Sequence, residues 1–241
     1  MDDVWEPFSH ITDGDYHSVF EEPFFAWLKE LRARLGISVT LYCFFEDKSK
    51  NFFMDSVTAR YKAEFESNAG WLHFAFHARN AESSYSGSDA CLLAGDYHEG
   101  MAQLERIVGK SSLSHTLRLH CWQGSKSEVE KMVYDADYPL AALLTPNDGK
   151  AGYYLDAIQN HRLQKDFYLF DESVGCAFYK TDLRIESVAD VRRVPYKNLC
   201  HTHQRQVSVF THAWALAEQK VKADTEYVLE NLGKLNGRLY V

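Results

Sequence analysis

Three stretches of this chain put groups able to hold a metal ion or move a proton where an α/β protein keeps its chemistry. The first is His10-Ile11-Thr12-Asp13-Gly14-Asp15, just ahead of an amphipathic segment. The second is His77, which ends the apolar run Trp71-Leu72-His73-Phe74-Ala75-Phe76, and the third is His212, which ends Gln206-Val207-Ser208-Val209-Phe210-Thr211. The carboxyl ends of parallel strands share one face, so ligands distant in sequence can meet there. Imidazole and carboxylate ligands without thiolates suit a catalytic divalent ion, zinc first, that keeps one position open for water. Such an ion acidifies its water and polarises a carbonyl, which points to hydrolysis of an amide or ester.

Each cue also has a bland reading. Asp-Gly-Asp is ordinary turn chemistry, and a lone strand-end histidine is more often packed than ligating; the coincidence of three such ends favours a shared site. His120, after Thr116-Leu117-Arg118-Leu119, could supply a further imidazole. Asp148 could orient a histidine or merely cap the Asn147-Asp148-Gly149 turn. Arg79, Glu82 and Arg118 are polar groups near the same strand ends. His73 and His77 have a tempting spacing, but four positions along an extended strand amount to about 13 Å, too far for one ion. Trp122, Trp214, Tyr153 and Tyr154 could stack on a sugar ring, although such aromatics are more often core.

The elements that must position these groups alternate between helical and strand-like patterning, which predicts βα units. Phe24, Phe25, Leu28, Leu31 and Leu35 fall at helical spacing, with Pro23 suited to a first turn and Gly36 to a stop. The run from Ile37 to Phe45 is continuously apolar, as a strand covered on both faces would be. Helices are expected near 56–68, 97–108 and 125–134, strands near 71–76, 116–121, 140–144 and 206–211, and short strands at 168–170 and 175–179. Residues 150–200 read as an excursion rich in loops. A long amphipathic helix runs from Ala215 to Leu235, Gly237 is its stop signal, and Arg238-Leu239-Tyr240-Val241 is a candidate terminal strand.

Composition bounds the rest. A chain of 241 residues, 46% hydrophobic, can bury one sizeable core, so a single domain over 1–241 is expected. A net charge of −8 offers no footprint for nucleic acid or an anionic membrane. The acidic start Met1-Asp2-Asp3-Val4-Trp5-Glu6 lacks a signal-peptide core, and no apolar run approaches spanning length, which predicts a cytoplasmic protein. The five cysteines contain no Cys-x-x-Cys and read as small buried residues.

Taken together, His10-Ile11-Thr12-Asp13-Gly14, Ser38 to Phe44, Phe74-Ala75-Phe76-His77-Ala78, Arg118-Leu119-His120, Thr181 to Glu186 and Phe210-Thr211-His212-Ala213-Trp214 resemble the polysaccharide deacetylase (NodB-homology) family. The likeness is to its divergent members near O-antigen and capsule biosynthesis genes. It implies a distorted, incomplete (β/α) barrel with a divalent metal at its carboxyl-end face. The family's first motif has two successive aspartates, a base and then a metal ligand. Asp13 matches the ligand, Thr12 takes the base position, and Asp15 becomes the candidate base. His77 matches the first histidine of a His-x-x-x-His motif whose second position falls on Ala81, leaving His120 as substitute ligand. His212 resembles the histidine that protonates the leaving amine. The implied function is metal-dependent deacetylation of an N- or O-acetylated carbohydrate in surface polysaccharide metabolism: Asp13, His77 and His120 hold the ion, Asp15 and His212 move protons, Asp148 supports a ligand, and Trp122 and Trp214 contact sugar. The alternative is a sugar-binding or assembly protein on a catalytically altered deacetylase scaffold, without the ion.

Overall fold

The computed structural model describes residues 1–150, 152–199 and 207–236. It is mixed α/β, and the helices follow local rules. α1 (Glu6–Asp13) carries Pro7 in its first turn, where a missing N–H costs nothing, and buries Phe8 and Ile11, three apart on one face. α2 (Pro23–Leu35) is capped by the Glu22 carboxylate, which accepts from the Phe24 and Phe25 amides at 2.8 and 3.0 Å. It stops at Gly36, whose φ of 67° is open to a residue without a Cβ.

Next come β1 (Val39–Phe44), the small hairpin β2 (Glu46–Asp47) and β3 (Phe52–Phe53), α3 (Lys62–Ser67) and β4 (Leu72–Ala78). α4 (Leu93–Val108), β5 (Thr116–Leu117), α5 (Lys126–Val133), β6 (Ala142–Thr145) and α6 (Ala157–Asp166) complete the middle of the chain. Then follow an antiparallel hairpin of β7 (Tyr168–Asp171) and β8 (Cys176–Lys180), β9 (Leu183–Arg184), α7 (Tyr196–Leu199), β10 (Val209–Phe210) and α8 (Gln219–Asn236).

The pairings string these strands into one lateral order. β9 pairs with β10, and residues 1–4 bridge β10 to β1 through Asp2 beside His212 and Val4 beside Cys43. β1 pairs along its length with β4, Phe74 of β4 bridges to Leu113 just before β5, and β5, β6 and β8 continue. Every neighbour in this order is parallel except β7, at the far edge, and β2 and β3 form a separate antiparallel hairpin. The carboxyl ends of the parallel strands therefore point one way.

Behind the β1–β4 pair sits an aromatic core. Phe65 and Phe74 rings lie 5.0 Å apart, Phe25 and Phe65 5.4 Å, and Phe8 and Phe74 5.8 Å. Each such side chain contributes roughly 1.5–3 kcal/mol by burial, so this cluster fixes α1, α2 and α3 to the sheet. Two residues further along β4, on the same face as Phe74, Phe76 packs so closely on α4 that a Cβ at Gly100 would come within 2.4 Å of its ring.

Several expectations are corrected. Residues 10–13 lie in α1, whose Phe8/Ile11 face outweighs the turn chemistry of Asp-Gly-Asp. The strand near 116–121 is two residues long, because the chain turns at Cys121 and Trp122, both with positive φ. No pairing joins β8 to β9 among the described residues, so the small sheets do not close into a barrel. The helix expected from Ala215 begins at Gln219, after a 3-10 turn over Trp214–Ala217. Cys43 and Cys176 are buried, whereas Cys91 and Cys121 are exposed. Cys200, Gln206, Gly237 and the candidate strand at 238–241 lie outside the described residues. Among those described, no helix is long and apolar enough to cross a membrane.

Candidate metal centre

The N-terminal segment is the one the sequence hid. Residues 1–4 have little apolar pattern of their own and are held by isolated bridges on either side of a bend at Asp3: the Asp2 amide donates to Thr211 O at 3.0 Å and the Val4 amide to Tyr42 O at 3.0 Å. The segment therefore presents Asp2 and Asp3 at the carboxyl-end face. Asp3 has a φ of 60°, a conformation that costs a non-glycine residue on the order of 1–2 kcal/mol and that aspartate tolerates better than most. Cys121, Trp122 and Tyr153 near this face share the strained sign of φ, whereas the other two such residues, Asn51 and Phe167, end helical turns. Strain concentrated in this way accords with a functional face.

His77 arrives by a different device. The register of β4 against β1 slips between Cys43, opposite Phe76, and Phe44, opposite Ala78, so His77 is the extra residue of a bulge. A bulge re-aims a side chain, and here it buries an imidazole to 3% exposure. His77 Nδ1 lies 2.5 Å from the Arg118 carbonyl, an atom that can only accept, so Nδ1 carries the proton. In the neutral ring Nε2 then holds a lone pair, aimed 3.2 Å from Asp3 Oδ1 and 3.4 Å from His120 Nδ1. Asp3 Oδ1 is buried, accepts no hydrogen bond, and stands 3.8 Å from His120 Nδ1. His120 comes from the turn after β5, and Phe44 packs against both imidazoles.

In the His120 tautomer that leaves Nδ1 unprotonated, three acceptor atoms face one another and call for a cation or a proton between them. Ligand atoms around a tetrahedral zinc at 2.0–2.1 Å are about 3.3 Å apart, close to the three separations found here. The donor set, one carboxylate and two imidazoles, fits a divalent ion of catalytic type.

Two charged pairs involve the residues around this trio. Asp2 pairs with Arg118, Oδ1 to Nε at 3.2 Å, both side chains 2% exposed. Arg118 also donates to Thr181 Oγ1 at 3.1 Å and lies 4.0 Å over the Phe210 ring. One residue thus holds Asp2 with its guanidinium and His77 with its carbonyl. In the second pair His212 Nδ1 binds Glu186, leaving Nε2 turned toward Asp3 Oδ2 at 3.9 Å. Burial pushes the Glu186 carboxyl up, but the His212 contact and backbone bonding outweigh it and bring it to about 2. Burial likewise pushes Asp3 up, and His77, His212 and the Trp214 N–H together hold it below the ordinary carboxylate range. Burial and the neighbouring His77 lower His120, which favours the neutral ring that a ligand needs.

Of the residues singled out from sequence, His77, His120 and His212 come together, and Trp214 stands over them with its indole on Asp3. Asp13 does not join them. It closes α1, whose eight residues span about 12 Å, and takes only a long bond from Ser9. Thr12 turns back on the Phe8 carbonyl. Asp15 is 95% exposed and pairs with Arg60 at 3.5 Å. Asp148 spends its carboxylate on Lys150 in an exposed turn and orients no histidine. Trp122 is packed edge-on against Phe210 and under Arg118, so it is framework instead of a free platform. Tyr153 and Tyr154 are tied by their hydroxyls to Leu144 O and Asp171. Arg79 serves Asp96 and Glu99 on α4. β4 runs through both His73 and His77, which keeps them apart as expected. The residues missed were Asp2, Asp3 and Glu186; the signal for the first two was the adjacent pair of aspartates itself.

No family model, curated protein or solved structure matches this chain.

Proposed function

We propose that this chain is a metal-dependent hydrolase of the polysaccharide deacetylase kind, which releases acetate from an N- or O-acetylated carbohydrate. The observation that carries the reading is the trio of Asp3 Oδ1, His77 Nε2 and His120 Nδ1, with a histidine–glutamate pair across it and Asp2 preceding Asp3 in the chain. The two successive aspartates of that family fit Asp2 and Asp3 better than Thr12 and Asp13. Ala81 still departs from the family's second histidine, and His120 supplies the imidazole in its stead. An open run of parallel strands with its ligands at the carboxyl ends is what a distorted, incomplete barrel of this type would offer.

A divalent ion bound by Asp3, His77 and His120 would acidify a water and polarise the acyl carbonyl. Asp2, fixed by Arg118, would accept the proton of the attacking water. His212, its Nδ1 proton held by Glu186, would give a proton from Nε2 to the departing nitrogen or oxygen. The exposed face of Trp214, 57% accessible, adjoins His212 on the side where a sugar ring would lie. With Asp2 as the base, the hydroxyl of Thr12 would have no catalytic task to fill.

The test is acetate release from a panel of N- and O-acetylated sugars by protein purified without chelator, alongside its metal content. One bound divalent ion per chain is expected, with release abolished in Asp3→Ala together with the ion. A wild-type chain that binds acetylated sugars but holds no metal and frees no acetate would instead be a binding protein.

A further inference from the structure

Trp214 is too exposed, at 57%, to owe its place to burial. Its indole Nε1, which can only donate, lies 2.9 Å from Asp3 Oδ2. The backbone enforces that meeting: the Ala213 amide donates to Asp2 O at 2.9 Å, tying the start of the 214–217 turn to the segment that carries Asp3. The two oxygens of Asp3 are thereby given different tasks, Oδ2 held by the indole and Oδ1 left buried without a hydrogen bond, facing the imidazoles. The same bond leaves His212 Nε2, 3.9 Å from Oδ2, outside hydrogen-bonding reach of the carboxylate and so available to a substrate.

We propose that Trp214 is a positioning residue: its indole N–H fixes the Asp3 carboxylate so that a single oxygen, Oδ1, serves a divalent ion. The proposal rests on the reading of Asp3, His77 and His120 as a metal centre. Groups that orient a ligand typically govern metal affinity by about 10- to 100-fold.

The experiment compares wild type, Trp214→Phe and Trp214→Ala by zinc competition against a chromophoric chelator and by the visible spectrum after cobalt loading. Thermal unfolding of the metal-free proteins serves as a check on folding. The expected result is a loss of zinc affinity of about 10- to 100-fold in both variants, because each lacks the N–H. The cobalt bands should change as Asp3 is freed to bind through both oxygens, with unfolding of the metal-free protein unaltered. Wild-type affinity and spectrum in Trp214→Phe, whatever Trp214→Ala shows, would overturn the proposal, since the ring and not the N–H would then matter. A wild-type chain that takes up neither zinc nor cobalt would overturn the metal centre, and the proposal with it.

Discussion

Among the described residues, two groups have metal-ligand spacing: Asp3 with His77 and His120, and His98 with Asp135 and Asp137. By residue type they are near equals, yet their atoms are spent differently. Asp135 Oδ1 accepts from the Asp137 and Tyr138 amides at 3.0 and 2.9 Å, and Oδ2 from His98 at 2.8 Å, so this carboxylate already caps a turn. The His98 side chain is half exposed. In the other group Asp3 Oδ1 is buried and accepts nothing, while the His77 tautomer is fixed by the Arg118 carbonyl behind it. Ligand chemistry is common on protein surfaces; unspent lone pairs converging in a buried place are not, because each costs roughly 1–3 kcal/mol unless something fills the gap.

The comparison can be broken from either side. Asp2→Asn and His212→Ala should each slow acetate release by about 10²–10⁴-fold while metal content stays that of wild type, as expected for groups that move protons without holding the ion. Loss of metal in either variant would merge these groups with the centre. Arg118→Met should destabilise the fold by about 3–5 kcal/mol in denaturant titration, since it strands Asp2 as a buried unpaired charge. A change under 1 kcal/mol would mean that the Arg118 guanidinium is not what holds Asp2 in place.

Acid should act through Glu186. Its folded value of about 2 lies below the ordinary 4.5, so the stability it contributes is complete above pH 4.5 and is lost as pH falls toward 2. In His212→Ala that acid-dependent loss should shrink, which chemical denaturation between pH 5 and about 2.5 would register. Smallest of all, His98→Ala should leave metal content and acetate release unchanged and cost no more than about 1 kcal/mol, as for an exposed ion pair.

How much of this was legible follows from which signals are local. α2 was written between Pro23 and Gly36, and β4 in an apolar run longer than a turn, so both were readable, and His77 and His212 with them. Asp2 and Asp3 were not. A four-residue segment with apolar groups only at its ends has no periodicity to detect, and its place between the strands is set by Tyr42 and Thr211, far away in sequence. The adjacent aspartates were in plain view, but attention went to His10–Asp15, where the real signal was Phe8 and Ile11 on one helical face. The alternating elements gave βα units, and the distorted, incomplete barrel was what the family resemblance implied; strands of two residues at β5, β9 and β10 are too short to reveal from sequence which edges meet.

The most direct test of the central claim is an anomalous-scattering map from crystals grown with zinc. The account predicts one strong peak about 2.0–2.1 Å from each of Asp3 Oδ1, His77 Nε2 and His120 Nδ1. An empty map at that point, or a peak among His98, Asp135 and Asp137 alone, would contradict it.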